Sequence, residues 1–422
     1  MTFLQHNIFR LAILLVLTSC STANNIKRDL KKSQKETSFF KGFVLYNPTT
    51  EKEIINHNGA KYFTPASNTK LYTFYTAYRT FKDSVSSLAY CKLKDSVIIK
   101  GTADPSFLYG FKSTKVLDFL REQKDTIYVV DAFIDESPYG SGWAWDDYAF
   151  YYMPEKSLFP IYGNIVTYGL ENNTLISKPS FFKQDIQVLD SVKQIRNFDK
   201  NQFYFPRDRT KKREVPFITS NQLLAQLLSD TLKKKVKVIS DSRHYNYATI
   251  KELPYDSLYR KLLVKSDNFI AEQLLLQVGE KVSKSYNVEK AIAYSLSNYL
   301  QNLPQKPRWV DGSGLSRYNL FTPEDMIFVL DKMYKEIPLQ KLLAYFPIGG
   351  KSGTLKHWYA NDKPYVFAKS GSLSNNYNLS GYLITKKGTM LIFSFMNNHY
   401  KIPTSEVKMY IEQILKDIYN TY

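Results

Sequence analysis

Apolar positions alternate in short runs near both ends of this chain and recur at helical spacing between them. Phe43-Val44-Leu45-Tyr46, closed by Asn47-Pro48, and Glu53-Ile54-Ile55-Asn56, leading to Asn58-Gly59, predict two strands. After Thr64-Pro65-Ala66 a helix is expected from near Ser67, with Leu71, Phe74, Tyr75 and Tyr78 at i, i+3, i+4 and i+7 as its buried stripe. From about residue 86 to 250 the texture changes. Short β-rich runs such as Val97-Ile98-Ile99, Ile127-Tyr128-Val129-Val130 and Ile165-Val166-Thr167-Tyr168 alternate with Gly, Asp, Asn and Pro breaks. That stretch is too long for a loop, so one or two inserted, mainly β domains are expected there. A helix over 220–232 precedes a strand over 236–239.

Helical texture returns over 257–264, breaks at Ser266-Asp267-Asn268 and resumes over 270–278. Strands follow over 365–369, 379–385 and 390–395. The chain ends in an amphipathic helix from Pro403, with Val407, Ile411, Ile414 and Ile418 on one face. Strands, a helical middle, more strands and a terminal helix predict an α+β (α/β/α) fold. Its single antiparallel sheet is flanked by helices and built from both chain ends. The expected division is a catalytic unit over 39–85 and 251–422, interrupted by an insertion over 86–250.

The N-terminal pattern is different in kind. Arg10 precedes the apolar run Leu11-Ala12-Ile13-Leu14-Leu15-Val16-Leu17, which is too short to cross a bilayer as a helix. It ends in Leu17-Thr18-Ser19-Cys20, which looks like a bacterial lipobox. Residues 1–20 therefore read as a lipoprotein signal peptide with Cys20 as the lipidation site, and the plainer reading is an ordinary signal peptide. Residues 21–38 are polar and read as a flexible tether. The remaining cysteine, Cys91, then has no intrachain partner and is expected as a small core residue.

Composition adds two constraints. With 44% hydrophobic and 23% charged residues the chain is ordinary globular material rather than a disordered or fibrous one. Its formal net charge is +18, and loss of residues 1–20 removes only one positive charge. Nucleic acid is the reflex partner for a basic protein, but an exported chain meets anionic membrane and cell-wall polymer instead. Membrane contact through an N-terminal lipid anchor is expected; nucleic acid is not.

The candidate chemistry lies in three motifs: Ser67-Asn68-Thr69-Lys70, Ser266-Asp267-Asn268 and Lys369-Ser370-Gly371. Ser-x-x-Lys also occurs at Ser38–Lys41 and Ser180–Lys183, but only the middle copy opens a clear helix, where i and i+3 share a face. There a partly buried lysine loses proton affinity and can activate the serine as a nucleophile. Ser266 can relay a proton between Lys70 and a leaving amine, and Asn268 can donate to a substrate carbonyl and orient Lys70. The plainer reading of this motif is helix capping. Lys369, at the end of a β-rich run, can pair with a substrate carboxylate, assisted by the hydroxyls of Ser370 and Ser372. Gly371 would let a substrate backbone approach the strand edge. The backbone N–H groups of Ser67 and Ser372 are the expected oxyanion donors. Ser374-Asn375-Asn376 and Lys351-Ser352-Gly353 are rival copies in turn-like and loop-like settings. Four histidines outside the signal segment, His57, His244, His357 and His399, show no ligand spacing, so neither a metal site, a cofactor nor a histidine triad is called for.

Serine/lysine/asparagine sets of this order serve penicillin-binding proteins and class A β-lactamases. The sequence more closely resembles the class C low-molecular-mass penicillin-binding proteins, D-alanyl-D-alanine carboxypeptidases/endopeptidases of peptidase family S13. The resemblance extends to 265–275 around the second motif and to Asp311-Gly312-Ser313-Gly314-Leu315-Ser316-Arg317. It also covers Gly353-Thr354-Leu355-Lys356, Asn378-Leu379-Ser380-Gly381-Tyr382-Leu383 and Gly101-Thr102-Ala103-Asp104-Pro105. It implies the penicillin-recognising serine transpeptidase/β-lactamase-like fold with a long insertion between the first two motifs. The implied reaction is an acyl-enzyme hydrolysis of peptidoglycan peptides, with β-lactam antibiotics as covalent inhibitors. A β-lactamase would need a dedicated deacylating carboxylate, which no motif places. A catalytically silent, lipid-tethered wall-binding protein would not need all of Ser67, Lys70, Ser266, Asn268 and Lys369.

Overall fold

The computed structural model describes residues 22–33, 35–37, 39–124, 126–240 and 245–422. Both chain ends build one five-stranded antiparallel sheet. Strands β1 (Phe40–Asn47) and β2 (Lys52–His57) join β13 (Val366–Leu373), β14 (Asn376–Ile384) and β15 (Met390–Asn398) in the order β13-β14-β15-β1-β2. The alternation of β1 shows why the sheet takes helices on both faces. Phe43 and Leu45 point into one apolar cluster and Val44 into the other. On the first face lie Val407, Ile411, Leu415 and Ile418 of the terminal helix α10 (Thr404–Thr421).

On the second face lie helices α2 (Lys70–Thr80), α5 (Tyr255–Lys265), α6 (Asn268–Ser283), α7 (Val288–Asn298), α8 (Pro323–Glu336) and α9 (Leu339–Tyr345). Helix α2 is more enclosed than its apolar stripe predicts, for every residue from Lys70 to Ala77 is buried. A helix apolar on one side and polar on the other is here covered on both, so Lys70, Thr73 and Thr76 must find internal partners.

The segment expected as a flexible tether is instead helical. Helix α1 covers 22–33, with helical residues again at 35–37. Ala23, Ile26 and Leu30, at i, i+3 and i+7, are buried in the cluster that also holds α10. Thr22 Oγ1 lies 3.3 Å from Thr421 Oγ1, and Lys41 Nζ donates to Thr37 Oγ1 over 2.8 Å. Three well-spaced apolar residues suffice because a preformed apolar surface receives them. Cys20 and the rest of the signal segment lie outside the described residues, as does Ser38 of the first spare Ser-x-x-Lys copy. No helix among the described residues is long and apolar enough to cross a membrane.

The inserted stretch begins on β3 (Ser84–Leu93) and returns on β12 (Ala248–Pro254), which pair antiparallel so that entry and exit adjoin at Ser84 and Pro254. With β4 (Ser96–Lys100), β5 (Thr126–Val130) and β11 (Val236–Ile239) they form a mixed sheet in the order β11-β5-β4-β3-β12. Helices α3 (Lys115–Glu122) and α4 (Asn221–Leu232) contribute to the insertion's own core with Leu88, Ile99, Ile127, Val166 and Phe203. The spare copy Ser180–Lys183 falls in a 3-10 turn of this region rather than in β structure. Cys91, expected in the core, sits half-buried on β3.

Candidate active site

The turn of Ser67 is built by local strain and long-range ties. Ser67 lies in a 3-10 turn, Ala66–Thr69, and the α-helix proper starts only at Lys70. Residues i and i+3 eclipse in a 3-10 turn, so the Ser67–Lys70 pairing survives the later helix start. Ala66 holds φ +49°, an unfavourable value for a residue with a side chain. Thr69 Oγ1 donates to the Ala66 carbonyl over 2.9 Å, and Asn68 Nδ2 donates to Ser380 Oγ over 2.8 Å, tying the turn to β14.

Lys70 is fully buried and its ammonium has three acceptors. Nζ donates to Ser67 Oγ (2.9 Å), Asn268 Oδ1 (2.6 Å) and the Ser313 carbonyl (2.6 Å). Burial pulls its pKa down to about 8, opposed by the negative charges of Asp311, Glu272 and Asp267. When neutral, the amine keeps two N–H groups for Asn268 and Ser313 and turns its lone pair to the Ser67 hydroxyl. That arrangement is suited to activating Ser67 as a nucleophile, with a base in contact.

Ser266 and Asn268 are placed by an abrupt join of two helices. Ser266 is the left-handed C-cap of α5 at φ +57°, and Asp267 is the N-cap of α6, accepting the Ile270 N–H over 3.0 Å. Capping and site-building are thus the work of one tripeptide. Asn268 Nδ2 donates over 2.8 Å to the carbonyl of Tyr152, in the insertion, so one of its amide hydrogens is engaged within the protein.

The third motif lies on the edge strand β13. Lys369 Nζ donates to Ser266 Oγ over 2.8 Å and to the Ser370 carbonyl over 2.6 Å, which joins the second and third motifs directly. Lys369 is fully buried, and burial together with the positive Lys70 drives its pKa well below the ordinary lysine value. Ser370 Oγ donates to Thr354 Oγ1 over 2.7 Å, and Ser372 is exposed at the strand edge. Gly371 meets a need inside the protein. A Cβ there would stand 2.5 Å from the Pro65 carbonyl and 2.9 Å from the Ser67 and Asn68 nitrogens, so the turn of Ser67 itself requires glycine at this position.

All three preferred motifs therefore converge, while the rivals do not enter the network. Lys351 and Ser352 lead into the 3-10 segment Gly353–Leu355, and Ser374-Asn375 turns β13 into β14. Ser67, Ser266, Asn268, Ser370 and Ser372 line a cleft of about 1140 Å³ that runs on past Thr354 to Tyr109, Asp146 and Tyr151 of the insertion, and to Tyr377 and Lys408 beyond β13, with Lys70 and Lys369 buried behind its wall. No group of three or more His, Cys, Asp or Glu among the described residues is arranged to hold a metal ion.

A supporting loop carries functions the motif reading left unassigned. The Ser313 carbonyl reaches Lys70, and Thr73 Oγ1 donates to the Gly312 carbonyl over 2.6 Å. Glu272 accepts the N–H groups of Gly312 (3.0 Å) and Ser313 (2.7 Å), and burial beside Asp311 raises its pKa. Asp311 accepts the N–H groups of Gly314 (2.8 Å) and Ser316 (2.7 Å), and Trp143 Nε1 of the insertion donates to it over 2.9 Å. Gly314, at φ +80°, passes so close to the turn of Ser67 that a Cβ would stand 1.8 Å from the Ala66 carbonyl. The Asp-Gly-Ser-Gly run carried the signal, but a backbone carbonyl as ligand has no residue signature.

The same fold occurs in known proteins, and the sequence likeness runs over most of the chain. D-alanyl-D-alanine carboxypeptidase DacB of Haemophilus influenzae is 26% identical over 435 residues, covering 90% of each chain. A penicillin-sensitive carboxypeptidase A of Dictyostelium discoideum is 24% identical over 88% of this chain and 85% of its own length. Among solved structures, penicillin-binding protein 4 (dacB) of Haemophilus influenzae superposes with a TM-score of 0.74 at 22% identity, covering 93% of this chain and 98% of the other. The predatory peptidoglycan endopeptidase Bd3459 of Bdellovibrio bacteriovorus shares the fold at a TM-score of 0.54 and 14% identity, over 90% and 92% of the two chains. A family model described as D-Ala-D-Ala carboxypeptidase 3 (S13) matches residues 23–202 and 208–417, and the chain belongs to that family.

Proposed function

We propose that this protein is a serine-type D-Ala-D-Ala carboxypeptidase that also acts as a DD-endopeptidase on peptidoglycan stem peptides and cross-links. Ser67 Oγ attacks the carbonyl carbon of the penultimate D-alanine while its proton passes to Lys70 Nζ. The oxyanion is held by the backbone N–H groups of Ser67 and Ser372, in a role that typically contributes about 3–4 kcal/mol per donor. The C–N bond breaks as the leaving amine takes a proton through Ser266. Water then adds to the ester and gives its proton to Lys70, which returns it to Ser67 Oγ as the ester C–O bond breaks. Lys369, with the Ser370 and Ser372 hydroxyls, receives the terminal carboxylate, and an incoming negative charge would restore the proton affinity that burial takes from Lys369.

The observation that carries this reading is the Lys70 amine, buried, poised near neutral pH and in contact with Ser67. Digestion of a defined pentapeptide stem and a defined cross-linked dimer is the direct test. The wild-type protein should release D-alanine from the first and split the second, and Ser67→Ala should do neither. Hydrolysis persisting in Ser67→Ala would end the proposal.

For location, the lipobox-like Leu17-Thr18-Ser19-Cys20 and the basic composition support an exported lipoprotein of the cell envelope, held in the periplasm on a membrane through lipid on Cys20. Mass spectrometry of the mature N-terminus would find a diacylglyceryl adduct on Cys20, and an unmodified Cys20 would refute the anchor.

A further inference from the structure

The cleft extends past the reacting centre along the edge of β13, and its far end holds a cation that the proposed chemistry does not use. Lys408, on α10, lines the cleft with Leu373, Ser374 and Tyr377. Its Nζ lies 5.2 Å from the ring centroid of Trp358 and 5.0 Å from that of Tyr377, and the side chain is half-buried between them. Glu412, one helical turn further along, is its natural i,i+4 counter-charge. Glu412 instead accepts the Tyr359 N–H over 2.5 Å. Among the described residues no carboxylate forms an ion pair with Lys408. Burial lowers its pKa, a cost that a bound anion would offset.

The direction of the substrate follows from the proposed function, on which this inference rests. With the terminal carboxylate toward Lys369 and Ser370 and the scissile carbonyl at Ser67 and Ser372, the acyl side of the peptide runs from Ser372 toward Ser374. An extended peptide advances about 3.3 Å per residue, so the residue two positions before the penultimate D-alanine falls about 7 Å further along, beside Ser374. In a stem peptide that residue is a D-glutamate joined through its γ-carboxyl, so its linking carbonyl stands at that point; two methylenes carry its α-carbon, with the free α-carboxyl as a side group, further along the cleft. We propose that Lys408, framed by Trp358 and Tyr377, is a specificity-determining residue that binds the free α-carboxylate of the γ-linked D-glutamate and so discriminates against stems in which it is amidated.

The test uses two purified peptides, L-Ala-γ-D-Glu-L-Lys-D-Ala-D-Ala with the α-carboxyl free or as the primary amide. Lysine at the third position removes any other side-chain carboxylate. The wild-type full chain should favour the free acid by about tenfold in kcat/KM, as a charge-assisted contact in a partly desolvated site provides. Lys408→Met should bring that ratio close to one, and Lys408→Arg should restore most of it. Labelling of Ser67 by a fluorescent penicillin, read on the same samples, reports whether the reacting centre is intact. A wild-type ratio near one, or a preference that survives Lys408→Met, would overturn the assignment. In the second case it would point to Arg317, whose guanidinium nitrogens lie 3.5 Å from the Ser374 carbonyl. Failure of the wild-type protein to take the penicillin or to release D-alanine from either peptide would overturn the functional reading, and this inference with it.

Discussion

At the scale of single residues, the site turns on how burial sets the charge of two lysines. Lys70 titrates near 8 because its ammonium has been taken out of water, and three acidic neighbours keep it from falling further. Its neutral fraction, and with it the base, grows as pH rises through that value. The rate of Ser67 acylation should therefore climb from pH 6 to a plateau above about pH 9, with its midpoint near 8. Stopped-flow acylation by a chromogenic β-lactam would measure it, and a rate flat across that range would remove Lys70 as base. The sign for stability is the same. Between pH 8 and the ordinary lysine value of 10.5 the unfolded chain binds the proton that the folded one has released, so this group contributes stability that increases with pH in that window. Ser67, Lys70, Ser266, Asn268 and Lys369 were legible in the sequence because each belongs to a short motif whose spacing means something on a helix or at a helix break. The Ser313 and Tyr152 carbonyls were not, since every residue has a carbonyl and only the fold says which one is aimed at Lys70 or Asn268.

At the scale of elements, two close backbone passages hold Ser67. The turn Ala66–Thr69 is pressed between Gly371 on β13 and Gly314 on the supporting loop, with no room for a methyl group at either. Gly314→Ala would force the loop away from Ala66 and add strain at φ +80°, moving the Ser313 carbonyl off Lys70. It should lower stability by about 1–3 kcal/mol and cut β-lactam acylation far more than that loss of folded protein explains. Wild-type acylation in a folded Gly314→Ala protein would contradict this. Helix α1 carries the other lesson. Residues 21–38 are polar and poor in apolar residues, and the surface beside α10 that receives Ala23, Ile26 and Leu30 is made by residues nearly 400 positions away. Leu30→Ala should loosen α1, by about 2–4 kcal/mol for a fully buried leucine, and expose 22–33 to limited proteolysis. A cleavage pattern identical to wild type would argue that α1 contributes no packing.

At the scale of the whole molecule, the insertion is part of the site rather than an appendage to it. It supplies the Tyr152 carbonyl to Asn268 and Trp143 Nε1 to Asp311, and Gln273 of α6 donates to the Ala103 and Ser157 carbonyls over 3.0 and 2.9 Å. Its mainly β character and its place between the first two motifs could be read from the sequence, but these crossing contacts could not. Trp143→Phe keeps the ring and removes the donor to a carboxylate, and should cost about 1.5–3 kcal/mol in denaturant unfolding. No change would mean that the insertion and the catalytic layers are not coupled through Asp311.

We propose Ser67 as the residue that peptide and penicillin alike acylate. Incubating the purified protein with penicillin and mapping the adduct by peptide mass spectrometry tests it most directly. One penicilloyl group is expected, on Ser67, and none in Ser67→Ala. An unlabelled wild-type protein, or a label that persists in Ser67→Ala, would contradict it.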